Sequence, residues 1–213
     1  FCAADNGNSI VSWYDGSQIV VASVGSGGKA GKTIRFSAET KDSMYNMVGM
    51  ASGGSYAYVL RNRVDRYDGD LQGQELMVID FGGLWGKTEK VFELTCEDGY
   101  EYGWLNASGD TITLIASDEY GTAAVRESYE FGAVLENTLN LKNTRTYPLE
   151  AGEGVYKAMA NSTDLVYISD SGKIYRADEE SVQEVYPART LETLMYPTWI
   201  AYAESGYIYL EEH

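Results

Sequence analysis

Residues 10–22 read IVSWYDGSQIVVA: an apolar run enters a turn of Asp, Gly and Ser, and a second apolar run leaves it. The same pattern returns at 47–60, 102–115, 155–168 and 199–210. Glycine supplies positive φ angles, and Asp and Ser hydrogen-bond to nearby backbone, which is the chemistry of β-hairpin turns. The chain therefore contains five predicted hairpins.

The spacing of these hairpins predicts a repeat architecture. Their turns begin roughly 40 to 55 residues apart, the range of four-stranded propeller blades. Further segments of strand character lie at 33–36, 75–81, 89–94, 123–129, 138–141, 173–176 and 181–186. These predict three complete four-stranded repeats between two incomplete ones, with helical signals only at 40–50 and 188–196. The predicted fold class is all-β and β-propeller-like, with four to five antiparallel sheet repeats in one domain over residues 1–213.

Composition limits the partners. The 213 residues include 32 acidic and 16 basic side chains, a formal net charge of −16. Phosphate backbones and anionic membrane surfaces repel such a chain, so nucleic acid is not an expected partner. No stretch approaches the roughly 20 apolar residues of a membrane span, so no direct membrane insertion is expected in this segment. Cationic ligands, metal ions or neutral polymers fit this charge better, although acidity also serves solubility alone. The expected partner is a small molecule, a glycan or a protein.

The first residues and the cysteines bear on localisation. The chain begins at Phe1 without an initiator Met, as expected for a piece of a longer exported or membrane-anchored protein. Cys2 and Cys96 either form a disulfide, which suits an oxidising compartment, or remain two thiols. No CxxC or Cys/His cluster accompanies them, which disfavours zinc.

The glycine-rich segment 25–33 ends in Gly-Lys-Thr, as phosphate-binding loops do. That loop needs a Gly five residues before the Gly-Lys pair, and Ser26 stands there. The loop must also open a helix, whereas residues 33–38 alternate like a strand. We therefore interpret the segment as a long hairpin loop and not as a nucleotide site.

Asp68 and Asp70 are candidate metal ligands. With Gly73 they match positions one, three and six of a calcium loop. Position five is Gln72 and position twelve is Ile79, which excludes a complete loop of that type. The alternatives are a partial structural calcium site and a simple Asp-Gly turn between two strands. No other cofactor is predicted.

Catalysis has little support in the sequence. The only histidine is His213, the last residue, so a Ser-His-Asp or Cys-His arrangement lacks a credible base. No catalytic residues are predicted. The enzyme that remains as an alternative is a glycoside hydrolase, which needs only paired carboxylates.

Aromatic residues are the best candidates for ligand contacts. Trp13, Tyr14, Trp104 and Trp199 occupy matching places in the first, third and fifth repeats, and aromatic faces suit sugars, peptides and cations. The alternative role for them is packing between sheets. Trp85 differs, because it lies among glycines in a predicted loop, where burial is harder. These five residues form the predicted ligand-binding set.

The five hairpins, with features such as Trp13-Tyr14 before Asp15-Gly16-Ser17, resemble bacterial extracytoplasmic β-propellers of the sensor or binding type over residues 10–210. The resemblance implies an extracytoplasmic ligand- or partner-binding domain, secreted or on the outer face of a membrane. It identifies no functional residue. A purely structural or assembly module and the carbohydrate-active hydrolase are the alternative functions.

Overall fold

The computed structural model describes residues 2–3, 9–25, 27–53, 56–81, 87–96, 99–108, 111–118, 123–130, 141–160, 164–186, 196–203 and 206–212. No residue in these ranges is helical. The strands are β1 (Cys2–Ala3), β2 (Ser9–Asp15), β3 (Gln18–Val24), β4 (Ala30–Ser37), β5 (Ser43–Gly53), β6 (Tyr56–Asp65), β7 (Leu71–Asp80), β8 (Lys87–Leu94), β9 (Tyr100–Ser108), β10 (Thr111–Asp118), β11 (Ala123–Glu130), β12 (Leu141–Pro148), β13 (Val155–Ala160), β14 (Leu165–Ser169), β15 (Ile174–Ala177), β16 (Val182–Tyr186), β17 (Tyr196–Ala203) and β18 (Gly206–Glu212).

The strands form sheets in sequence order. β1–β4, β5–β8, β9–β12 and β13–β16 each make a four-stranded sheet, and β17–β18 make a two-stranded one. Pairing within the first, second, fourth and fifth sheets is antiparallel. All five predicted hairpins are confirmed, and with them the all-β, repeated-sheet fold class.

The first repeat is more complete than predicted. The two-residue strand β1 pairs with β2, placing Cys2 opposite Ile10 and Ala3 opposite Ser9. The sheet therefore has four strands, and the hairpin β2–β3 is its central pair. The prediction of an incomplete first repeat was wrong because a two-residue edge strand has no sequence pattern of its own and is defined only by its pairing.

Two other sequence assignments need correction. Residues 40–50 were predicted as a helix, but Ser43–Gly53 pair along their whole length with β6. The fourth strand of the third repeat was predicted at 138–141, whereas β12 runs from Leu141 to Pro148. The predicted helix at 188–196 falls almost entirely outside the described residues, and its last residue, Tyr196, begins β17.

The glycine-rich segment 25–33 has the predicted hairpin form. The Gly28 amide donates to the Gly25 carbonyl at 2.8 Å and closes a tight turn. The strand β4 then begins at Ala30 and includes Thr33. Lys32 donates from Nζ to the Phe81 carbonyl at 3.0 Å, so its side chain ties this strand to the end of β7.

The chain divides into two compact units. The first comprises residues 1–95, 105–112 and 129–140, and the second comprises residues 96–104, 113–128 and 141–213. The expectation of a single domain over residues 1–213 stays a prediction. No segment of the described chain forms a helix with the length and hydropathy needed to cross a lipid bilayer.

The core of the first unit lies between the sheets β1–β4 and β5–β8. Strands β3, β6 and β7 carry continuous apolar runs, as expected for strands buried on both faces. Inward side chains of these strands form one cluster with Ile10 of β2 and Ala38 after β4: Ile10, Ile19, Val21, Ala38, Ala57, Val59, Met77 and Ile79. Removal of these apolar side chains from water stabilises the unit.

The core of the second unit is richer in tyrosine. All five residues of β14 are buried. One face of the strand contributes Leu165 and Tyr167 to a cluster with Ile115, Tyr147, Leu149, Ala158, Tyr175 and Ala177. The Tyr167 and Tyr175 rings stack with centroids 5.1 Å apart and planes 18° apart. The opposite face of β14 adds a smaller cluster of Val166, Ile168 and Ile174.

Gly69 occupies a backbone conformation that strongly favours glycine. It lies in the β6–β7 turn with φ of 80° and donates its amide to the Asp65 carbonyl at 3.1 Å. Left-handed backbone costs other residues about 1–2 kcal/mol. We therefore expect Gly69→Ala to lower the melting temperature by about 2–8 °C, measured by circular dichroism.

Gly27→Ala is the matched control for this change. A Cβ on Gly27 meets nothing within 4 Å, and its φ lies outside the left-handed region. We expect it to leave the melting temperature within about 2 °C of the parent. Equal effects of the two substitutions would contradict the conformational explanation.

Candidate ligand-binding cleft

A cleft of about 320 Å³ opens at one end of the first unit. The β2–β3 turn and the connection from β4 to β5 form its walls. The Ala38 amide donates to the Ser17 carbonyl at 2.7 Å, and the Tyr45 amide donates to the Ala38 carbonyl at 2.8 Å. The first bond joins the two loops, and the second holds the β4–β5 connection against the start of β5. The lining residues are Tyr14, Gly16, Ser17, Ala38, Glu39, Met44, Tyr45 and Asn46.

Tyr14 is the predicted contact residue that the structure places in this cleft. It is 50% exposed, so much of its ring is open to solvent. Its hydroxyl accepts a hydrogen bond from the Met47 amide at 2.9 Å. The side chain is thereby anchored at its tip, and less rotamer freedom is lost when a ligand covers the ring.

Tyr45 is the second ring of the cleft and rests on a buried charge. The guanidinium of Arg61 lies over the ring, 4.0 Å from its centroid, a cation–π contact. Arg61 donates to Glu75 Oε2 from Nε at 2.9 Å and from Nη2 at 2.6 Å. The Arg61 and Glu75 side chains are only 9% and 7% exposed. This ion pair holds Arg61, and with it Tyr45, in one position.

The polar groups of the cleft surround these rings. Glu39 forms an ion pair with Arg66 at 3.2 Å, and Arg66 also donates to the Thr40 carbonyl at 3.1 Å. The carboxylate of Glu39 is therefore locally neutralised. Asn46 and Ser17 are exposed at the rim. Apolar rings with a few convergent polar groups are the usual composition of a small-ligand site.

Two of the other predicted aromatic residues, Trp13 and Trp104, lie away from this cleft. Trp13 is 43% exposed and stands opposite Val20, on the face of its sheet that points away from Tyr14. Trp104 is partly buried and packs against the tyrosine-rich core of the second unit. This packing is the role that was predicted as the alternative to ligand contact. Trp199 lies in β17, and Trp85 lies outside the described residues. A ligand role for these four residues stays a prediction.

Asp68 and Asp70 lie in the β6–β7 turn. Asp68 accepts a hydrogen bond from the Asp70 amide through Oδ1 at 3.0 Å, as Asp does when it closes a turn. Among the described residues, no three His, Cys, Asp or Glu side chains come together in a way that could hold a metal ion. The Asp-Gly turn is present, and calcium binding there stays a prediction.

The cysteines lie in different elements. Cys2 belongs to β1, and Cys96 follows β8. Their disulfide stays a prediction.

Carboxylates in the second unit form structural networks. Glu153 accepts hydrogen bonds from Ser171 Oγ at 2.6 Å and Lys173 Nζ at 3.1 Å. The Ser171 hydroxyl and, more weakly, Lys173 hold the pKa of Glu153 below its ordinary value. Backbone amides of Glu180 and Ser181 likewise lower the pKa of Asp178. A catalytic general acid needs a raised pKa, so neither carboxyl suits that role.

The lowered pKa of Glu153 predicts an acid-sensitive contribution to folding. The ionised form is favoured in the folded chain, so the stabilisation is present above the unfolded pKa, near 4.5, and is lost as pH falls through the lower folded value. We expect Glu153→Gln to lower the free energy of unfolding at pH 7, with a difference from the parent that shrinks below pH 4.5. Urea unfolding across pH 3–7 measures this. A difference that does not change with pH would contradict it.

Sequence reasoning missed Met44, Tyr45 and Asn46 because their segment was assigned to a helix. The sequence at 44–47, Met-Tyr-Asn-Met, does not alternate between apolar and polar residues, although in the strand Tyr45 and Met47 point to the core and Met44 and Asn46 are more exposed. Glu39 likewise carried no sequence signal. Glu39 lies in the connection between β4 and β5, and the course of this connection places it in the cleft lining.

No family model and no curated protein matches this chain. Among solved structures, it is similar to the crystal structure of human WBSCR16, with 13% identity, a TM-score of 0.44 and coverage of 82% of this chain and 47% of that one. It is also similar to the β-propeller domain of Vanderwaltozyma polyspora Nup133, with 6% identity, a TM-score of 0.45 and coverage of 83% and 53%. A third similar structure is a prolyl endopeptidase, with 10% identity, a TM-score of 0.38 and coverage of 97% and 38%. The chain spans about half or less of each of these proteins, and no function follows from likenesses of this size. The fold itself is all-β, built from repeated four-stranded antiparallel sheets in the manner of propeller blades.

Proposed function

We propose that this chain is an extracytoplasmic binding domain that takes a neutral saccharide ring in the cleft beside Tyr14. One observation carries the proposal: a half-exposed tyrosine, anchored through its hydroxyl to the Met47 amide, lines an open cleft with a second tyrosine. The protein would then recognise a glycan without changing it chemically.

The lining chemistry supports a saccharide. A sugar ring has an apolar face of C–H groups and a rim of hydroxyls. The rings of Tyr14 and Tyr45 and the thioether of Met44 offer apolar surface to the face. Asn46, Ser17 and Glu39 offer donors and acceptors to the rim. Such a division between apolar walls and a few polar groups fixes both affinity and orientation.

Charge favours a neutral ligand over an ionic one. The formal net charge of −16 opposes anionic ligands. The carboxylate of Glu39, the ionised group among the lining residues, is already paired with Arg66. A cationic ligand would have to compete with that pair, whereas hydroxyl groups can hydrogen-bond to it.

The extracytoplasmic location is a separate part of the proposal. An oxidising compartment would allow a disulfide between Cys2 and Cys96. Mass spectrometry after alkylation, with and without prior reduction, tests this on protein isolated from its native compartment. Two cysteines alkylated without reduction would count against the location.

Ligand binding is tested by thermal unfolding with monosaccharides, oligosaccharides and neutral peptides. A ligand present at a hundredfold over its Kd adds about 2.7 kcal/mol of stability. We expect a saccharide to raise the melting temperature, and Tyr14→Ala to weaken its binding about tenfold. Tyr14→Phe retains the ring and should keep most of the affinity, which separates stacking from the anchoring hydrogen bond.

Trp13→Ala is the matched control, because Trp13 is a similarly exposed aromatic on the same strand but on the opposite face. If the saccharide binds only in the cleft, Trp13→Ala leaves its affinity unchanged; a weakened affinity would show that Trp13, also a predicted contact, takes part in binding. Loss of binding in Trp13→Ala with retention in Tyr14→Ala would move the site to the other face and overturn the assignment of the cleft. A response to peptides alone would replace the saccharide with a peptide ligand.

A further inference from the structure

The β6–β7 turn, residues 66–70, presents a bare aromatic side chain. Tyr67 at its tip is 81% exposed. The turn joins two long strands of the second sheet and projects from the same end of the first unit as the cleft, since Arg66 pairs with the cleft residue Glu39. A lone exposed aromatic needs no explanation, so what surrounds Tyr67 decides whether it belongs to a surface.

Apolar side chains continue from this turn across the sheet. Met44 stands opposite Val64 in the β5–β6 register, and Val64 stands opposite Leu71 in the β6–β7 register. The three therefore form one cross-strand row. Met44 and Leu71 are both exposed. We name this row, together with Tyr67 in the turn that joins β6 to β7, the tip strip: Met44, Val64, Tyr67 and Leu71.

The turn is held in one conformation by its own hydrogen bonds. Asp65 accepts the Tyr67 amide at its carboxylate at 2.8 Å. The Asp65 amide donates to the Asp70 carbonyl at 2.7 Å, and the Gly69 amide donates to the Asp65 carbonyl at 3.1 Å. These bonds fix the backbone that carries Tyr67, so a partner that covers the ring does not also have to order the turn.

Side chains brace the turn from below. Gln72 donates from Nε2 to Asp65 Oδ2 at 3.0 Å, and Ser43 donates to Gln72 Oε1 at 2.7 Å. The neighbouring cation Arg66 is bound to Glu39 and to the Thr40 carbonyl. Its charge is thus compensated at the base of the turn.

The charge around Tyr67 selects the partner. Asp68 and Asp70 are exposed on the same turn, and the whole chain carries a net charge of −16. An aromatic ring flanked by carboxylates attracts lysine and arginine, through cation–π contact and charge pairing together. An acidic surface, including a second copy of this chain, would be repelled.

We propose that the tip strip is an interaction surface for a protein partner that places a lysine or arginine against Tyr67 and apolar side chains along Met44, Val64 and Leu71. This surface shares Met44 with the cleft, whereas Val64, Tyr67 and Leu71 are not among the cleft-lining residues. The acidic turn guides the encounter, and the apolar row supplies the buried part of the interface.

The test uses the full chain and a labelled peptide of lysine, leucine and glycine, with fluorescence anisotropy as the readout. We expect Tyr67→Ala to weaken binding about tenfold and Tyr67→Phe to retain it, because phenylalanine keeps the ring face. A peptide with glutamate in place of lysine should not bind. Amide chemical-shift changes should concentrate at residues 64–71 and around Met44.

Tyr156→Ala is the matched control, since Tyr156 is an exposed tyrosine on β13 in the other unit. Equal binding by Tyr67→Ala, Tyr156→Ala and the parent would mean diffuse charge attraction and would overturn the proposal. Concentration-dependent dimerisation that Tyr67→Ala abolishes would assign the strip to self-association instead. Saccharide binding is measured on the same variants, so failure of the tip strip and failure of the cleft are distinguishable.

Discussion

Replacing Glu75 with alanine should destabilise the first unit by about 3–5 kcal/mol, because it leaves a buried arginine without its counter-charge. The Arg61 side chain is 9% exposed and donates two hydrogen bonds to Glu75. Among the contacts described for Arg61, no second carboxylate could take the place of Glu75. Arg63, which also pairs with Glu75 at 3.4 Å, loses one of its two carboxylate partners. Urea unfolding at pH 7, followed by circular dichroism, measures the change in free energy.

The exposed pair of Arg35 and Asp15 is the matched control. Its side chains are 48% and 54% exposed, and such pairs contribute about 0–1 kcal/mol. Arg35→Ala should therefore have a small effect. The double replacement Arg61→Met with Glu75→Leu should recover most of the loss, because no charge is then left buried. A Glu75→Ala effect no larger than that of Arg35→Ala would show that water reaches Arg61.

Glu75→Ala should also affect the cleft. Arg61 supports the ring of Tyr45, and Tyr45 lines the cleft. An Arg61 side chain that leaves its buried position no longer holds that ring. Glu75→Ala should accordingly lower the affinity of the cleft for its ligand, even at temperatures where the chain remains folded.

Replacing Tyr167 with alanine should destabilise the second unit by about 3–5 kcal/mol, the usual effect of truncating a large buried aromatic side chain. The ring is fully buried and stacks on Tyr175. Its hydroxyl also accepts the Glu150 amide at 2.8 Å. Truncation therefore opens a cavity, removes the stacking and leaves that amide without its acceptor. Thermal and urea unfolding measure the loss.

Tyr167→Phe separates these contributions. It retains the ring and the stack and removes only the hydroxyl that accepts the Glu150 amide. We expect a loss of about 1–3 kcal/mol for the unsatisfied amide. Equal losses in the alanine and phenylalanine variants would assign the stabilisation to the hydrogen bond and not to packing.

The repeated hairpins could be predicted because their determinants are local. Asp15-Gly16-Ser17 provides its own turn chemistry, and the apolar run at Ile19–Ala22 has the length and content of a buried strand. Each hairpin is thus determined by about a dozen neighbouring residues. The spacing of the turns, which predicted the repeats, is likewise a property of the sequence alone. The same holds for the lack of a good helix cap.

Strands that depend on pairing could not be predicted in this way. β1 has two residues, and only its register with Ile10 and Ser9 makes it a strand. The segment around Met44 and Tyr45 has no strong preference of its own, and β6 determines its conformation by pairing with it along its length. Context of this kind overrides weak intrinsic propensity.

The sequence by itself determined an acidic, all-β chain of repeated hairpins, because turn chemistry, alternation and charge are properties of adjacent residues. Only the tertiary structure decided which aromatic residue lines a cleft and which one packs in a core. Tyr14 and Trp104 looked equivalent in the repeats, yet Tyr14 lines the cleft with Tyr45 of another sheet and Trp104 packs against the core of the second unit. The physical reason is that a side chain's exposure depends on the sheet that packs against it, and that sheet comes from residues far away in the chain.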